Sequence, residues 1–387
     1  MASVVFFAFD IAEASQIRRI ESLRALGHDV ASVSFRKTNM NAGFRPDWRD
    51  LTLGPNSNHR YGLRLWRLLR ALVRVWRHRA FLRDGDLWIA RNLDMAVLAV
   101  ALRRLTRPDV RIVYECLDIH GLFTRRDAVG RAMRAIERRI LDRSDLLIVS
   151  SPGFLRAYFG PVQGYKGPVA LVENKLWLGA RALPRPQVPM TRLGGAPLTL
   201  GWVGSLRCAR SLEILASAAS VMGSSIRILF HGNVHAHAVA GFDAVLANHP
   251  NIEYRGAYRY PDDLAGIYGN CDVVWAQDLW QAGANSDWLL PNRIYEASYF
   301  GCPSIAVSGT ETARRVEEDG LGFVLPVASS AALVTLLRGL DAAMLRAASA
   351  RLLAMPASRF SLTPDELADL LAPVLSQDGK SIALPAE

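Results

Sequence analysis

Short uninterrupted apolar runs alternate along the chain with longer stretches in which apolar positions recur every three or four residues. Residues 4–9 (VVFFAF) read as a buried strand. Residues 17–26 repeat apolar positions at helical spacing and stop at Gly27-His28-Asp29, and residues 30–35 form the next strand. Strand, helix and strand in so short a stretch make a βαβ unit, which implies a parallel sheet. The alternation continues with strands at 87–90 and 110–114 around a helix at 95–105, a helix at 131–142, and strands at 145–150 and 169–173. Residues 179–197 break the rhythm with four prolines and three glycines, the composition of an interdomain linker.

A second series follows. It comprises strand 198–203, helix 211–222, strand 226–231, helix 242–248, strand 252–255, helix 262–268, strand 272–276, helix 292–300, and strands 303–307 and 322–324. A last helix is expected from Pro364 to about Leu371, with Thr363 as N-cap and Glu366 completing a capping box. The pattern predicts an α/β protein of two Rossmann-like domains, residues 1–178 and 198–359, whose parallel sheets face a central cleft. The C-terminal helix of 360–387 is expected to join the first domain. Ligands in such sheets sit at the carboxyl ends of the strands.

Composition agrees with two ordinary globular cores: 387 residues, 50% hydrophobic and 21% charged. The four cysteines, at 116, 208, 271 and 302, form no CxxC pair, which argues against a disulfide framework or zinc ribbon and for a reducing compartment. The first residues lack the basic start of a secretory signal, and no apolar run approaches the roughly 20 residues that span a bilayer. A cytoplasmic protein, peripheral on the inner membrane face, is expected.

The net charge of +10 changes this picture because it is uneven. Residues 1–190 hold 32 Lys and Arg against 17 Asp and Glu, whereas residues 191–387 hold 14 against 19. The basic half calls for an anionic partner. Much of the charge lies in residues 60–83 (RYGLRLWRLLRALVRVWRHRAFLR), which no acid interrupts. On a helical wheel Arg60, Arg64, Arg67, Arg70, Arg74 and Arg77 fall on one side and Leu65, Leu68, Leu69, Leu72 and Trp76 on the other. Trp66 falls near the boundary. A basic amphipathic helix with tryptophan suits an anionic membrane interface, contacted by Trp66, Arg67, Arg70, Arg74 and Trp76. The same pattern would also serve a helix packed on its own domain. No RRM, KH, zinc-finger or helix-turn-helix signature accompanies the basic half, so nucleic acid is not an expected partner.

The most informative stretch is residues 285–307 (NSDWLLPNRIYEASYFGCPSIAV). Pro291 suits the first turn of a helix. Glu296 falls one turn inside, where a carboxylate could accept two ribose hydroxyls, and the free N–H groups of the helix start favour a phosphate. A glutamate favoured only by the helix dipole would look the same. At residues 200–210 (LGWVGSLRCAR) a strand runs into Gly204-Ser205, where small residues let backbone approach a diphosphate, with Arg207 and Arg210 beyond to neutralise it.

These stretches resemble the donor-binding signatures of GT-B glycosyltransferases, especially the family 4-like enzymes. Pro291, Asn292, Arg293, Glu296, Gly301 and Pro303 match "PNK-hydrophobic-x-E-x-x-x-x-G-x-P", with Arg293 for the lysine. The resemblance implies that Glu296 holds the donor ribose. The family's earlier glutamate, a sugar contact, is replaced by Trp288, with Asp287 adjacent. Gly204 and Arg210 match the family's "GRL-x-x-x-K-G" turn, Ser205 stands for its arginine and Arg207 is placed to compensate. Residues 251–278 resemble the segment that covers the nucleobase, through Gly256, Leu264, Tyr268 and Asp272, with Tyr258 and Tyr260 able to stack on a base.

In the first half, residues 137–151 (ERRILDRSDLLIVSS) resemble the same family's helix followed by "A-D-x-V-x-x-V-S", and the opening Phe9-Asp10-Ile11 with Arg18, Arg19 and Leu23 resembles bacterial exopolysaccharide glycosyltransferases of the succinoglycan-assembly type. The resemblance implies a glycosyltransferase moving a sugar from a nucleotide-diphosphate donor, a UDP-sugar, to a polyprenyl-diphosphate-linked saccharide. The nucleotide sugar is substrate, and no cofactor or metal is expected. Asp84-Gly85-Asp86 mimics a metal-binding DxD but sits in a glycine turn. His231, His235 and His237 would need a further ligand to hold zinc. Transfer with inversion needs a base near the acceptor hydroxyl. Asp118 and His120, in the strand-end stretch 114–120 (YECLDIH), and Asp10 are the candidates, each also readable as a turn cap. A nucleotide-sugar epimerase and a non-catalytic membrane-attached scaffold are the rival readings.

Overall fold

The protein was analysed as a computed structural model that describes residues 1–37, 43–55, 61–179, 183–189 and 195–375. Two compact units result: Met1–Glu173 with the segment from Thr363, and Asn174–Leu362.

The first unit opens with β1 (Ser3–Ala8), α1 (Ala14–Ala25), β2 (Asp29–Arg36), β3 (Asp50–Pro55) and α2 (Tyr61–Arg77). It continues through β4 (Leu87–Arg91), α3 (Leu93–Thr106), β5 (Arg111–Cys116), α4 (Gly121–Thr124), α5 (Ala128–Leu141), β6 (Leu146–Val149), α6 (Pro152–Phe154) and β7 (Val169–Leu171). The seven strands form one sheet in the order β3-β2-β1-β4-β5-β6-β7, parallel throughout. The central strands β1, β4, β5 and β6 are almost wholly buried, which is why they read as unbroken apolar runs: helices cover both faces. β3 escaped the sequence reading because it is a half-buried edge strand, where polar residues and Pro55 are tolerated.

The second unit runs β8 (Leu198–Val203), α7 (Ala209–Met222), β9 (Ile226–His231), α8 (Phe242–Asn248), β10 (Ile252–Tyr254), α9 (Leu264–Gly269) and β11 (Val273–Trp275). Then come α10 (Asn285–Trp288), α11 (Asn292–Tyr299), β12 (Ser304–Val307), α12 (Glu311–Glu318), β13 (Gly322–Leu325), α13 (Ser330–Gly339) and α14 (Ala342–Ala354). Its six parallel strands are ordered β10-β9-β8-β11-β12-β13. Helices α12 to α14 were not anticipated. The chain returns to the first unit through α15 (Pro364–Leu375), which packs near α1 and β7, and Thr363 Oγ1 accepts the Glu366 N–H.

Two expectations need correction. The first concerns the linker. The chain changes unit at Glu173/Asn174, and the described part of residues 179–197 is tied to the second unit. Leu176 pairs with Ser361, and Arg185 donates to the carbonyls of Tyr299, Leu352 and Met355.

The second correction concerns α2, whose leucines do not share one face. Ala71 and Val75 are buried and Leu68 and Leu72 half-buried on the side that packs against α3, while Leu69 and Trp76 stay exposed with Trp66 and Val73. Arg60 and the side chains of Arg64 and Leu65 lie outside the described residues.

Candidate active site

In the second unit, Gly204, Arg293 and Glu296, all singled out by sequence, lie at or near the carboxyl ends of the central strands. Gly204 leaves β8 at φ +112° with its N–H on the His231 carbonyl (2.9 Å), and Gly232 leaves β9 at φ +128°. A Cβ on Gly232 would stand 1.8 Å from the Gly204 carbonyl oxygen, so only glycine lets these strand ends close up. Arg293, in the first turn of α11, reaches the same place. Its Nη2 lies 3.7 Å from where a Gly204 Cβ would be, and Nη1 donates to the Trp275 carbonyl at the end of β11 (3.4 Å). The start of α11 and the turn after β8 therefore converge.

One turn further in, Glu296 is 4% exposed and its Oε2 accepts the Tyr268 hydroxyl (2.8 Å). Burial and the Glu296 charge push the Tyr268 phenol well up, so it stays a donor. Tyr258 packs, half-buried, against the same cluster. Tyr260 is committed elsewhere, its hydroxyl accepting the Trp177 N–H (3.2 Å).

On the other side of the turn Arg207 reaches Asp278 (3.4 Å) and stacks on the ring of Trp280 (4.5 Å). The Asp278 Oδ1 accepts the Ser286 hydroxyl (2.7 Å) and the Trp280 N–H (2.8 Å). Burial pushes the Asp278 carboxyl up, but Arg207, the Ser286 hydroxyl, the Trp280 N–H and Arg293 outweigh it and hold the group ionised. Two guanidiniums around one carboxylate leave this turn electropositive. Ser205 is exposed beside them, and Asn292 is half-buried at the helix start. Arg210 points away: it is exposed and donates to the Ala328 carbonyl (3.3 Å).

In the first unit, Asp10 ends β1 at 1% exposure. Its Oδ1 accepts the N–H groups of Ala12 (3.2 Å) and Lys37 (3.0 Å), while Oδ2 is buried without a hydrogen-bond partner among the described residues. Asp118 and His120 follow β5, both exposed, with β4 lying between β1 and β5. His120 Nδ1 accepts the Leu122 N–H (3.2 Å), so the neutral ring carries its proton on Nε2 and presents a donor; the carboxylates are the acceptors here. Glu115, in the same stretch, faces inward. It is fully buried, gripped by Arg19 Nε (2.8 Å) and Arg91 Nε (2.7 Å), and Arg91 Nη1 extends to Ser15 (3.0 Å).

Comparison with known proteins gives this geometry its lineage. The model of a glycosyl transferase 4-like domain matches residues 18–175. The chain is 39% identical over 341 residues to the succinoglycan biosynthesis protein ExoL of Rhizobium meliloti, covering 87% of this chain and 84% of that one. The chain belongs to the same family as ExoL, and its residues 18–175 carry a glycosyl transferase 4-like domain. Among solved structures, this glycosyltransferase is similar to sucrose-phosphate synthase from Thermosynechococcus elongatus (TM-score 0.74, 15% identity, 97% and 99% of the two chains covered). It is also similar to HepE of Anabaena (TM-score 0.70, 14% identity, 96% and 99% covered) and to WaaG of lipopolysaccharide biosynthesis (TM-score 0.60, 14% identity, 96% and 99% covered). The fold is GT-B.

Sequence reading of this glycosyltransferase missed Asp278 and the ion cluster on Glu115. Asp278 closes the matched segment 251–278, but its partner Arg207 is 71 residues away. The partners of Glu115 are 96 and 24 residues away, beyond any local pattern.

Proposed function

We propose that this glycosyltransferase binds a UDP-sugar in its second unit and transfers the sugar to a saccharide carried on a polyprenyl diphosphate, in exopolysaccharide assembly at an anionic membrane face. The observation that carries the reading is the convergence of the Gly204 turn with Arg293 and Glu296 at the start of α11. In this reading Glu296 accepts the ribose hydroxyls and Tyr258 covers the base. Arg207 and Arg293, with the backbone of Gly204-Ser205 and the N–H groups at Asn292, hold the diphosphate and stabilise the charge that grows on it as the sugar departs. Arg210 adds long-range positive charge from the solvent side. HepE of Anabaena, solved with UDP and glucose and with UDP-glucose, and the ExoL relative support the donor class and the pathway. Asp118 is our candidate for the acceptor base, with His120 beside it to donate and Asp10 the alternative carboxylate.

Calorimetric titration with UDP tests the reading, followed by a thermal-shift panel of nucleotide sugars. Trp288, standing where the family has a sugar-contacting glutamate, favours a scaffold reading instead. A scaffold binds no UDP, so silent titrations would decide for it.

A second measurement addresses Asp278. Replacing it with asparagine releases Arg207 from its ion pair while keeping acceptors for Ser286 and Trp280. The expected result is a fall of about tenfold in kcat/KM for the nucleotide sugar, the worth of one charged hydrogen bond, with Tm little changed. Unaltered kinetics would detach Asp278 and Arg207 from donor handling.

A further inference from the structure

Helix α2 is apolar on two faces. Its inner face packs on α3 through Ala71 and Val75. Its outer face exposes Trp66 (52%), Leu69 (55%), Val73 (53%) and Trp76 (46%), spaced three, four and three residues apart along one side of a helix. Arg70, Arg74 and Arg77 are exposed among them, with the Arg70 guanidinium over the Trp66 ring (4.5 Å) and Arg79 over Trp76 (5.4 Å). Two half-exposed tryptophans in line with two aliphatic side chains form a patch that water alone does not explain.

A second helix repeats the pattern. Along α5, Val129 (49%) and Ile136 (39%) are exposed with Ala132 between them, and Arg131 and Arg139 are exposed nearby. The only acid of α5, Glu137, is buried, receiving hydrogen bonds from Tyr114 (2.8 Å), Gln163 (2.6 Å) and Tyr158. Between the two lies α3, which contacts both and exposes Arg104 and Leu105. The connections β3 to β4, β4 to β5 and β5 to β6 all step the same way along the sheet, so right-handed crossovers put α2, α3 and α5 in one layer on one face. α1, whose connection steps the other way, covers the opposite face.

We infer that the outer surface of this layer, carried by α2 and α5, is a docking face for the interface of an anionic phospholipid bilayer. The charge selects the occupant. A second copy would bring arginine against arginine, whereas acidic headgroups meet the arginines and the acyl boundary takes the tryptophans and aliphatics. No helix among the described residues is long and apolar enough to cross a membrane, so contact is from one side. The inference rests on the lipid-linked acceptor only for its purpose. Binding to empty vesicles, without donor or acceptor, is independent of transfer, so failure of one reading is distinguishable from failure of the other.

The test is flotation of the full chain with vesicles of phosphatidylcholine alone or mixed with phosphatidylglycerol. Cofloating only with the mixed vesicles, and release by salt, are expected. Arg70→Glu with Arg74→Glu should lower partitioning at least tenfold, since each basic side chain near an anionic surface is worth roughly fivefold. Trp66→Ala with Trp76→Ala, and separately Val129→Glu with Ile136→Glu on α5, should each lower it with Tm unchanged, because all four side chains are exposed. Equal flotation with both lipids, or none, overturns the inference. Unchanged partitioning of the α5 variant overturns the two-helix face. Light scattering that finds a dimer abolished by the tryptophan variant, in a protein that does not float, assigns the face to a second copy and overturns it as well.

Discussion

Replacing Glu296 with alanine is expected to lower kcat/KM for the nucleotide sugar by about a hundredfold or more. A carboxylate accepting two ribose hydroxyls makes two charge-assisted hydrogen bonds, each worth about 1.5–3 kcal/mol in a buried setting. Glu296 is 4% exposed, so water would not readily replace such bonds. The substitution also strands the buried Tyr268 hydroxyl, which costs stability by a separate route. Tyr268→Phe isolates that route. It should lower Tm modestly while leaving UDP affinity nearly intact, because the proposed ribose contact is untouched.

A sharper check uses 2′-deoxy-UDP. The wild type should bind it more weakly than UDP, and the alanine variant should bind the two alike, since the cycle cancels everything except the hydroxyl-to-carboxylate contact. Wild-type kinetics in Glu296→Ala would remove its proposed role.

How much of this was legible follows from where the information lies in the chain. The buried parallel strands announce themselves as apolar runs because each is covered on both faces, so β8 and β9 were placed to the residue. The parts of the proposed donor site could be singled out because they are local: a glycine after a strand, and a glutamate one turn into a helix. That the two segments meet depends on strand order, which periodicity does not encode. Conversely, β3 was missed because an edge strand need not be apolar. The leucines of α2 were misassigned because a wheel sorts residues by polarity and cannot tell an apolar face that packs from one that remains exposed. Linker and strap look alike in composition, and the anchoring of Arg185 to three carbonyls and of the Leu183 carbonyl to Tyr299 distinguishes them.

Glu115→Gln is expected to destabilise the first unit by about 3–5 kcal/mol, because it leaves two buried guanidiniums facing a neutral amide. For a unit of this size that corresponds to a Tm lower by roughly 6–20 °C. The carboxylate joins α1 and β4 to β5, and its backbone carbonyl also accepts the N–H of Asn92 (3.1 Å), held at φ +71° where a non-glycine residue is strained.

The pH dependence gives this prediction its direction. Burial alone would raise the Glu115 carboxyl, but Arg91 and Arg19 outweigh it and bring it from 4.5 down to about 2. A group with a depressed folded value contributes stability that is present above its unfolded value and lost as the pH falls through the folded one. The wild type should therefore lose this contribution between about pH 4.5 and pH 2, and the glutamine variant should show a flatter acid limb over that window. UDP affinity in the variant should be preserved at neutral pH, since the groups proposed to hold the nucleotide all belong to the second compact unit. An unchanged acid limb would show that the cluster does not sustain the fold, and a lost UDP site would show that the two units do not hold their structures separately.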